Sequence, residues 1–205
     1  MVSTVERTTT LFTTEQFAEM VGEDDRCELW RGVIVEMSPV KSTHSKVAFR
    51  LGTTLGAYAL RTGVGEVWPG DAGLTIEDGP DTVVSPDLSF IPADVAARLS
   101  DDVPGFPRVV PPLAVEIKSP SDTEKEIAAK LAMYLDAGVG EIWWVRPRQR
   151  TITRHWPDRD PVVLRAGETV TDVAALPGFS MAVDDAFPPE RPAPADAAVV
   201  LGEVD

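Results

Sequence analysis

One short apolar segment of the chain carries charged residues at alternating positions. Residues 113–118 read Leu-Ala-Val-Glu-Ile-Lys, and the side chains of a strand alternate between its two faces. The three large apolar side chains would therefore face a core, whereas Glu116 and Lys118 would share the opposite face. A carboxylate and an ammonium at this spacing indicate either a chemical site or an exposed ion pair, which is a common and weakly stabilising arrangement.

A second acidic residue, Asp87, lies inside the apolar segment 83–91 and directly follows Pro86. An unpaired carboxylate is costly to bury, so Asp87 is either a turn residue after the proline or part of a site. Glu116 comes 29 positions later, which is enough chain to cross a proline-rich loop and return on a neighbouring strand. We therefore predict that Asp87, Glu116 and a lysine converge.

Two carboxylates and a lysine are the groups that Mg²⁺-dependent hydrolysis of a phosphodiester requires. Carboxylate oxygens suit a hard cation, and a cationic side chain can lie beside the attacking water or the scissile phosphate. Other chemistries find less support in the sequence. It has no Gly-rich phosphate loop and no zinc-ligand pattern, and its two histidines and one cysteine have no spacing that indicates Ser-His-Asp or Cys-His catalysis.

The elements that must position these residues alternate between helices and strands. Helical spacing of apolar residues is present near 13–21, 43–61 and 124–137, and the last of these helices should end at Gly138. Apolar segments typical of strands occupy 27–30, 33–37, 66–68, 74–76, 83–91, 113–118, 141–145, 151–156 and 162–165. The first two strands form a hairpin around Arg31-Gly32. This order predicts an α+β or α/β fold, a mixed β-sheet flanked by helices, with an added N-terminal helix and hairpin.

Two helical residues are further candidates because of their positions on the predicted helix faces. Lys130 lies on the inward stripe of its helix, so it belongs to a site, extends its stem from the boundary, or pairs with Glu126. His44 precedes the apolar positions of its helix by the same spacing. It therefore faces a cleft, or it is a capping or core histidine.

The motifs around these residues resemble a known family. Pro86-Asp87 followed by Glu116-Ile117-Lys118 resembles the PD-(D/E)XK nuclease signature, and the surrounding sequence resembles the Uma2 family of restriction-endonuclease-like proteins over roughly residues 11–183. The segments that carry the second resemblance are 27–32, Ser38-Pro39 with His44, 84–87, 115–122, 130–134 and 137–143. Many Uma2 relatives lack a lysine two positions after the glutamate, so Lys118 brings this chain closer to the general nuclease pattern.

The resemblance implies a restriction-endonuclease-like fold and a set of roles. Asp87, Glu116 and the backbone carbonyl of Ile117 would ligate Mg²⁺, for which Mn²⁺ could substitute. Lys118 would orient or activate the attacking water and stabilise charge on the phosphate. Glu28 would lie near the metal, usually bound through water; the alternative for Glu28 is a hairpin ion pair with Arg31 or Arg26. The resemblance also favours site roles for Lys130 and His44.

The charge of the chain restricts how it can bind nucleic acid. The chain has 205 residues and a net charge of −14, which argues against non-specific coating of nucleic acid and against docking on anionic membranes. Four arginines at 146, 148, 150 and 154 could contact a nucleic-acid backbone, or they could line a solvated hairpin. We therefore expect weak or selective binding of DNA.

Composition also divides the chain and indicates its compartment. Residues 184–205 carry six acids against one base and four prolines, so we predict one endonuclease-like domain over 1–183 and a flexible acidic tail over 184–205. A single cysteine, no apolar leader in the first ten residues and no membrane-length apolar segment predict a cytoplasmic protein.

Three functional hypotheses follow. The first is a metal-dependent DNA endonuclease. The resemblance and the aromatic segment 142–145 also predict that it forms a homodimer. The second is an inactive or regulatory nucleic-acid-binding module that retains the nuclease fold. The third is a metal phosphoesterase acting on a small nucleotide.

Overall fold

Most of the expected helices and strands are present, together with several short elements that the sequence did not indicate. The computed structural model describes residues 10–22, 25–38, 41–79, 81–99 and 104–189. The helices are α1 (Thr14–Met20), α2 (Ser42–Thr62), α3 (Ala93–Ala96) and α4 (Glu124–Asp136), followed by a 3₁₀ turn at Val183–Ala186. The strands are β1 (Cys27–Trp30), β2 (Val33–Glu36), β3 (Gly65–Pro69), β4 (Leu74–Asp78), β5 (Asp81–Val84), β6 (Leu88–Pro92), β7 (Leu113–Ile117), β8 (Glu141–Arg146), β9 (Thr151–His155), β10 (Val162–Leu164), β11 (Thr169–Val170) and β12 (Met181–Ala182). The additional elements are α3, β11, β12 and the 3₁₀ turn.

A six-stranded sheet with the order β10-β9-β8-β7-β6-β3 forms the centre of the fold. Its neighbouring strands are antiparallel except for β7 and β8, which run parallel and are connected by α4. Helices usually cover both faces of parallel strands, and β7 is buried along its whole length. Leu113, Val115 and Ile117 belong to one core, which confirms the face predicted for them, and Ala114 belongs to a second core on the opposite face.

The two long helices lie on opposite faces of this sheet because each has one apolar stripe. α2 contributes Val47, Leu51 and Leu55 to the same core as Val115, and it ends at Gly63, whose φ of 69° is left-handed. α4 contributes Ile127 and Tyr134 to the core that contains Ala114. A capping box at Thr123 and Glu126 begins α4, which satisfies two of the free N–H groups at its first turn.

The segment 83–91 is two strands and not one, so that prediction is wrong. β5 belongs to a second, four-stranded sheet with the order β2-β1-β5-β4, whereas β6 belongs to the central sheet. Pro86 separates them because it has no N–H to donate to a strand and its ring fixes φ. Asp87 therefore lies at the corner where the chain passes from one sheet to the other.

The predicted N-terminal helix and hairpin are both present. Thr13 and Gln16 form a capping box at the start of α1. Arg31 and Gly32 connect β1 to β2 with φ values of 49° and 82°, the two left-handed positions of a hairpin turn that matches the twist of the strands.

The C-terminal part of the described chain packs against α2. Val183, Ala186 and Phe187 are buried in the same core as Val115, although the sequence placed the start of the tail at residue 184. Residues 190–205 lie outside the described residues, so the tail and the domain division stay predictions.

The predictions of a homodimer and of no membrane-spanning segment can be compared with the positions of the tryptophans and the helices. Trp143 and Trp144 are buried inside the chain on β8, so they give no support to the predicted homodimer, which stays a prediction. None of the helices in the described ranges is both long enough and apolar enough to cross a bilayer.

Candidate active site

A cleft of about 770 Å³ brings together six of the seven residues that the sequence singled out. The six are Glu28, His44, Asp87, Glu116, Ile117 and Lys130. They come from β1, α2, the corner before β6, β7 and α4, so the two sheets and both long helices contribute to one site.

Asp87 is held at the corner by two hydrogen bonds to the same carboxylate oxygen. Its Oδ2 accepts from the backbone N–H of Ile117 at 2.7 Å and lies 3.1 Å from His44 Nε2. The backbone passes close on the other side, because a Cβ built on Gly70 would lie 3.2 Å from the Cα of Asp87. Asp87 is thus a bend residue after Pro86, as the turn interpretation predicts, and it also lines the cleft.

His44 faces the cleft from the first turn of α2 and is only 6% exposed. Its Nε2 bonds to Asp87, whereas its Nδ1 is buried and has no partner among the described residues. Burial alone would lower the pKa of His44, but the hydrogen bond and the charge of Asp87, helped by Glu116 and Asp122, raise it above its usual value. His44 is therefore positioned to fix the orientation of Asp87.

Glu116 is buried on the face of β7 that α4 covers, so the exposed ion pair considered for it is wrong. It is 7% exposed, and its Oε1 accepts a hydrogen bond from the Tyr134 hydroxyl and lies 2.8 Å from Lys130 Nζ. Burial is the main cause that raises the pKa of the Glu116 carboxyl to about 7. The positive charge of Lys130 opposes this rise, and the negative charges of Asp87 and Glu28 add to it.

Lys130 connects Glu116 to Glu28 deep in the fold. Its ammonium lies 2.9 Å from Glu28 Oε1, and the residue as a whole is 4% exposed. The two alternatives for Lys130, a stem that extends from the boundary of the core and an ion pair with Glu126, are therefore wrong. Burial alone would lower the pKa of Lys130, but the charges and hydrogen bonds of Glu116 and Glu28 outweigh it and hold the pKa above its usual value. Lys130 is therefore charged at neutral pH.

Glu28 uses both carboxylate oxygens inside the protein. Oε1 also accepts from the backbone N–H of Ser85 at 2.7 Å, and Oε2 accepts from Trp30 Nε1 at 2.7 Å. The hairpin ion pair with Arg31 or Arg26 that was the alternative for Glu28 is wrong, since Glu28 pairs with Lys130 and Arg31 pairs with Asp136. Glu28 anchors Lys130 and holds the start of the corner that carries Asp87.

Lys118 lies apart from the other predicted site residues. Its ammonium donates a hydrogen bond to the backbone carbonyl of Asp122 and lies 3.8 Å from a carboxylate oxygen of Glu124. It does not line the cleft, although Asp122 does. The lysine next to the carboxylates of the cleft is Lys130, and Lys118 supports the loop that precedes α4.

The cleft could hold a divalent metal ion between Asp87 and Glu116. Among the described residues, Asp87 Oδ1 and Glu116 Oε2 accept no hydrogen bond, so each carboxylate keeps one oxygen for a ligand. No three His, Cys, Asp or Glu side chains in the described ranges form a metal-binding group by themselves. Two carboxylates therefore reach the cleft, and Ile117, whose carbonyl the family resemblance implies as a further ligand, lines the cleft as well.

Two residues of the site were not predicted. Tyr134 hydrogen-bonds to Glu116 and lies one helical turn after Lys130 on α4. Its position on the inward stripe was the available signal, but an aromatic residue on such a stripe is typical of a core. Asp122 accepts a hydrogen bond from the backbone N–H of Ser119 at 2.7 Å and lines the cleft; its segment carries the family resemblance but no spacing that predicts a site residue.

Comparisons with known proteins agree with this fold. A solved structure of "a putative nuclease belonging to DUF820" from Anabaena variabilis superposes with a TM-score of 0.74 at 16% identity, covering 86% of this chain and 97% of that one. Such a likeness shows the fold and confirms the predicted mixed sheet flanked by helices. No curated protein matches the chain. The Uma2 family, described as "Putative restriction endonuclease", matches residues 14–184, and the chain therefore belongs to the Uma2 family.

Proposed function

We propose that this protein is a metal-dependent endonuclease that hydrolyses DNA phosphodiester bonds. The observation that carries the proposal is the pair Asp87 and Glu116, which line one cleft and each keep one carboxylate oxygen without a hydrogen bond from the described residues. The description of the family and the name of the structural neighbour both support a nuclease.

The residues of the cleft fit the requirements of a magnesium site. Asp87, Glu116 and the Ile117 carbonyl would hold Mg²⁺, or Mn²⁺ in its place, because oxygen donors suit such cations. The bound ion would lower the pKa of a water molecule and stabilise negative charge on the phosphate. The hydrogen bonds from Ile117 and His44 fix Asp87, and those from Lys130 and Tyr134 fix Glu116, so both ligands are oriented before the substrate binds.

The family resemblance implies a catalytic role for Lys118, but Lys130 is the lysine that lies next to a proposed metal ligand. We propose that Lys130 supplies the positive charge behind the metal ligands, because it lies 2.8 Å from Glu116. Lys118 would have to leave the Asp122 carbonyl before it could reach an attacking water. If it does so when substrate binds, Lys118→Ala will lower kcat strongly and leave metal affinity unchanged. If it only supports the loop, Lys118→Ala will retain most of the activity.

The proposal is tested by measuring metal binding and cleavage separately. Titration calorimetry should show one Mn²⁺ ion binding to the wild type and much weaker binding to Asp87→Asn and Glu116→Gln, while circular dichroism stays unchanged. Cleavage of labelled single-stranded, duplex and branched DNA should require Mg²⁺ or Mn²⁺ and disappear in both variants. Wild-type protein that binds Mn²⁺ but cleaves none of these substrates would contradict the proposal and favour a binding module.

The substrate and the assembly are part of the same proposal. Turnover of a small nucleotide diester without cleavage of DNA would favour the phosphoesterase hypothesis instead. The single Cys27 supports a reducing, cytoplasmic compartment, and the family resemblance supports a homodimer. Sedimentation at micromolar concentration should give a dimer, and a monomer would contradict that prediction.

A further inference from the structure

One side of the cleft is a shelf formed by α2. The helix presents His44, Ser45, Ala48, Phe49, Gly52 and Thr53 to the cleft, a set that recurs at helical spacing. Phe49 is 73% exposed although it is large and apolar. The neighbouring Ala48 and Gly52 are small and line the same cleft, and Gly52 lies close to Leu88, because a Cβ built on it would be 3.2 Å from Leu88 Cδ2.

The charges of the cleft exclude a long phosphate track. Six acidic residues line it, at positions 25, 28, 71, 87, 116 and 122. The cations among the described lining residues are Arg26, His44 and Lys130, and the last two are bonded to carboxylates. Affinity for nucleic acid usually comes from several Lys and Arg contacts to phosphates, and this cleft cannot supply them.

Three of the four arginines at 146, 148, 150 and 154 do not supply such a track either, because each is held by partners within the chain. Arg146 makes a bidentate pair with Glu124, and Arg154 is buried against Glu141. Arg150 bonds to the Pro188 carbonyl and lies 3.5 Å from Asp184. These three arginines are held by partners within the chain, so a neutral group beside the metal site can add affinity that they do not supply.

We propose that Phe49 is the stacking platform for an unpaired nucleobase, which makes single-stranded nucleic acid the preferred substrate of the cleft. Every base has a flat π-face, and base–aromatic stacking supplies affinity without a phosphate contact. Paired bases are already stacked inside a duplex and cannot present that face to Phe49. This inference rests on the proposed function, since it places the base next to a phosphate that the metal ion bound at Asp87 and Glu116 would hold.

The test measures binding of an oligonucleotide under conditions in which no cleavage is needed. Full-length protein in Ca²⁺ is titrated into a short single-stranded oligonucleotide that carries one 2-aminopurine, whose fluorescence is quenched when the base stacks. We expect saturable quenching by the wild type, a Kd raised about 10- to 100-fold in Phe49→Ala, and a retained or tighter Kd in Phe49→Trp. The matched control is Leu60→Ala, because Leu60 is 85% exposed on the same helix and does not line the cleft; it should bind as the wild type does.

Each other result has a defined meaning. The base site is overturned if Phe49→Ala binds like the wild type, if the wild type gives no quenching, or if a duplex with the same base is quenched equally. It is also overturned if Phe49→Ala changes only the sedimentation of the protein, which would make Phe49 a protein contact. Quenching that depends on Phe49, in a protein that cleaves no substrate in Mg²⁺ or Mn²⁺, supports the base site and contradicts the nuclease proposal alone.

Discussion

Replacing Lys130 by methionine tests the central claim about the site, namely that one buried ammonium stabilises two buried carboxylates. Methionine keeps most of the aliphatic stem but has no charge, so the change removes the ion pairs with little loss of packing. Glu28, at 1% exposure, and Glu116, at 7%, would then be buried without a cation. Their remaining donors would be Ser85, Trp30 and Tyr134.

The expected loss follows from burial. Removing one partner of a buried ion pair costs about 3–5 kcal/mol, a large part of a total stability of about 5–15 kcal/mol. With a urea m-value of about 2 kcal/mol/M, the unfolding midpoint should fall by roughly 2 M. Lys118→Met should cost about 1 kcal/mol or less, because its partners lie nearer the surface. Lys125→Met on exposed α4 surface should stay within about 0.5 kcal/mol.

The pH dependence of the loss has a definite sign. The pKa of Glu116 in the folded chain, about 7, lies above its ordinary value of 4.5, and loss of the Lys130 charge would raise it further. As the pH falls, the folded chain therefore takes up a proton before the unfolded chain does. Acidification from about pH 8 to pH 5.5 should recover part of the stability lost in Lys130→Met.

Urea unfolding followed by tryptophan fluorescence measures all three variants under the same conditions. The reasoning is refuted if Lys130→Met unfolds within about 1 kcal/mol of Lys125→Met at pH 8, or if its deficit grows on acidification. Adding Glu28→Gln to Lys130→Met removes one of the unpaired charges, so the double variant should be more stable than the single one.

Two further predictions concern the metal and the corner. Protons compete with metal for Glu116, so Mn²⁺ affinity should fall up to about tenfold per pH unit below pH 7; calorimetry between about pH 8 and pH 6 checks this, and a constant affinity would contradict it. Gly70→Ala forces a Cβ against the backbone of Asp87, so it should lower both the melting temperature and Mn²⁺ affinity. The control is Gly56→Ala, because Gly56 lies in the middle of α2 and a Cβ there meets open space. This substitution should leave Mn²⁺ affinity unchanged and stabilise the fold by up to about 1 kcal/mol. Equal effects of the two substitutions would exclude crowding of Asp87 as the cause.

The sequence predicted the carboxylates better than the lysine, for a physical reason. Alternation identified Glu116 because it lies within β7, but β7 ends at Ile117, and the rule says nothing about a side chain beyond the end of a strand. Lys118 therefore follows the turn towards Asp122. Helical periodicity placed Lys130 correctly, because α4 is regular over that stretch.

Other features required tertiary information. The division of 83–91 between two sheets depends on which edges are available to pair, and an apolar run does not reveal that. Tyr134 has the same pattern as a core aromatic, and only its hydroxyl contact to Glu116 distinguishes it. The partners of Glu28 come from β1, the corner and α4, and no local pattern connects these.

The contact between Lys130 and Glu28 spans 102 positions of the chain, and this separation determines when the site can exist. During synthesis Glu28, His44 and Asp87 leave the ribosome first, and Glu116, Lys130 and Tyr134 follow. A chain interrupted before α4 therefore lacks the buried cation Lys130, and a chain interrupted before β7 also lacks Glu116, one of the two carboxylates that could hold the metal. The cleft can become complete only after α4 has been synthesised, so fragments that end before this helix cannot carry an assembled site.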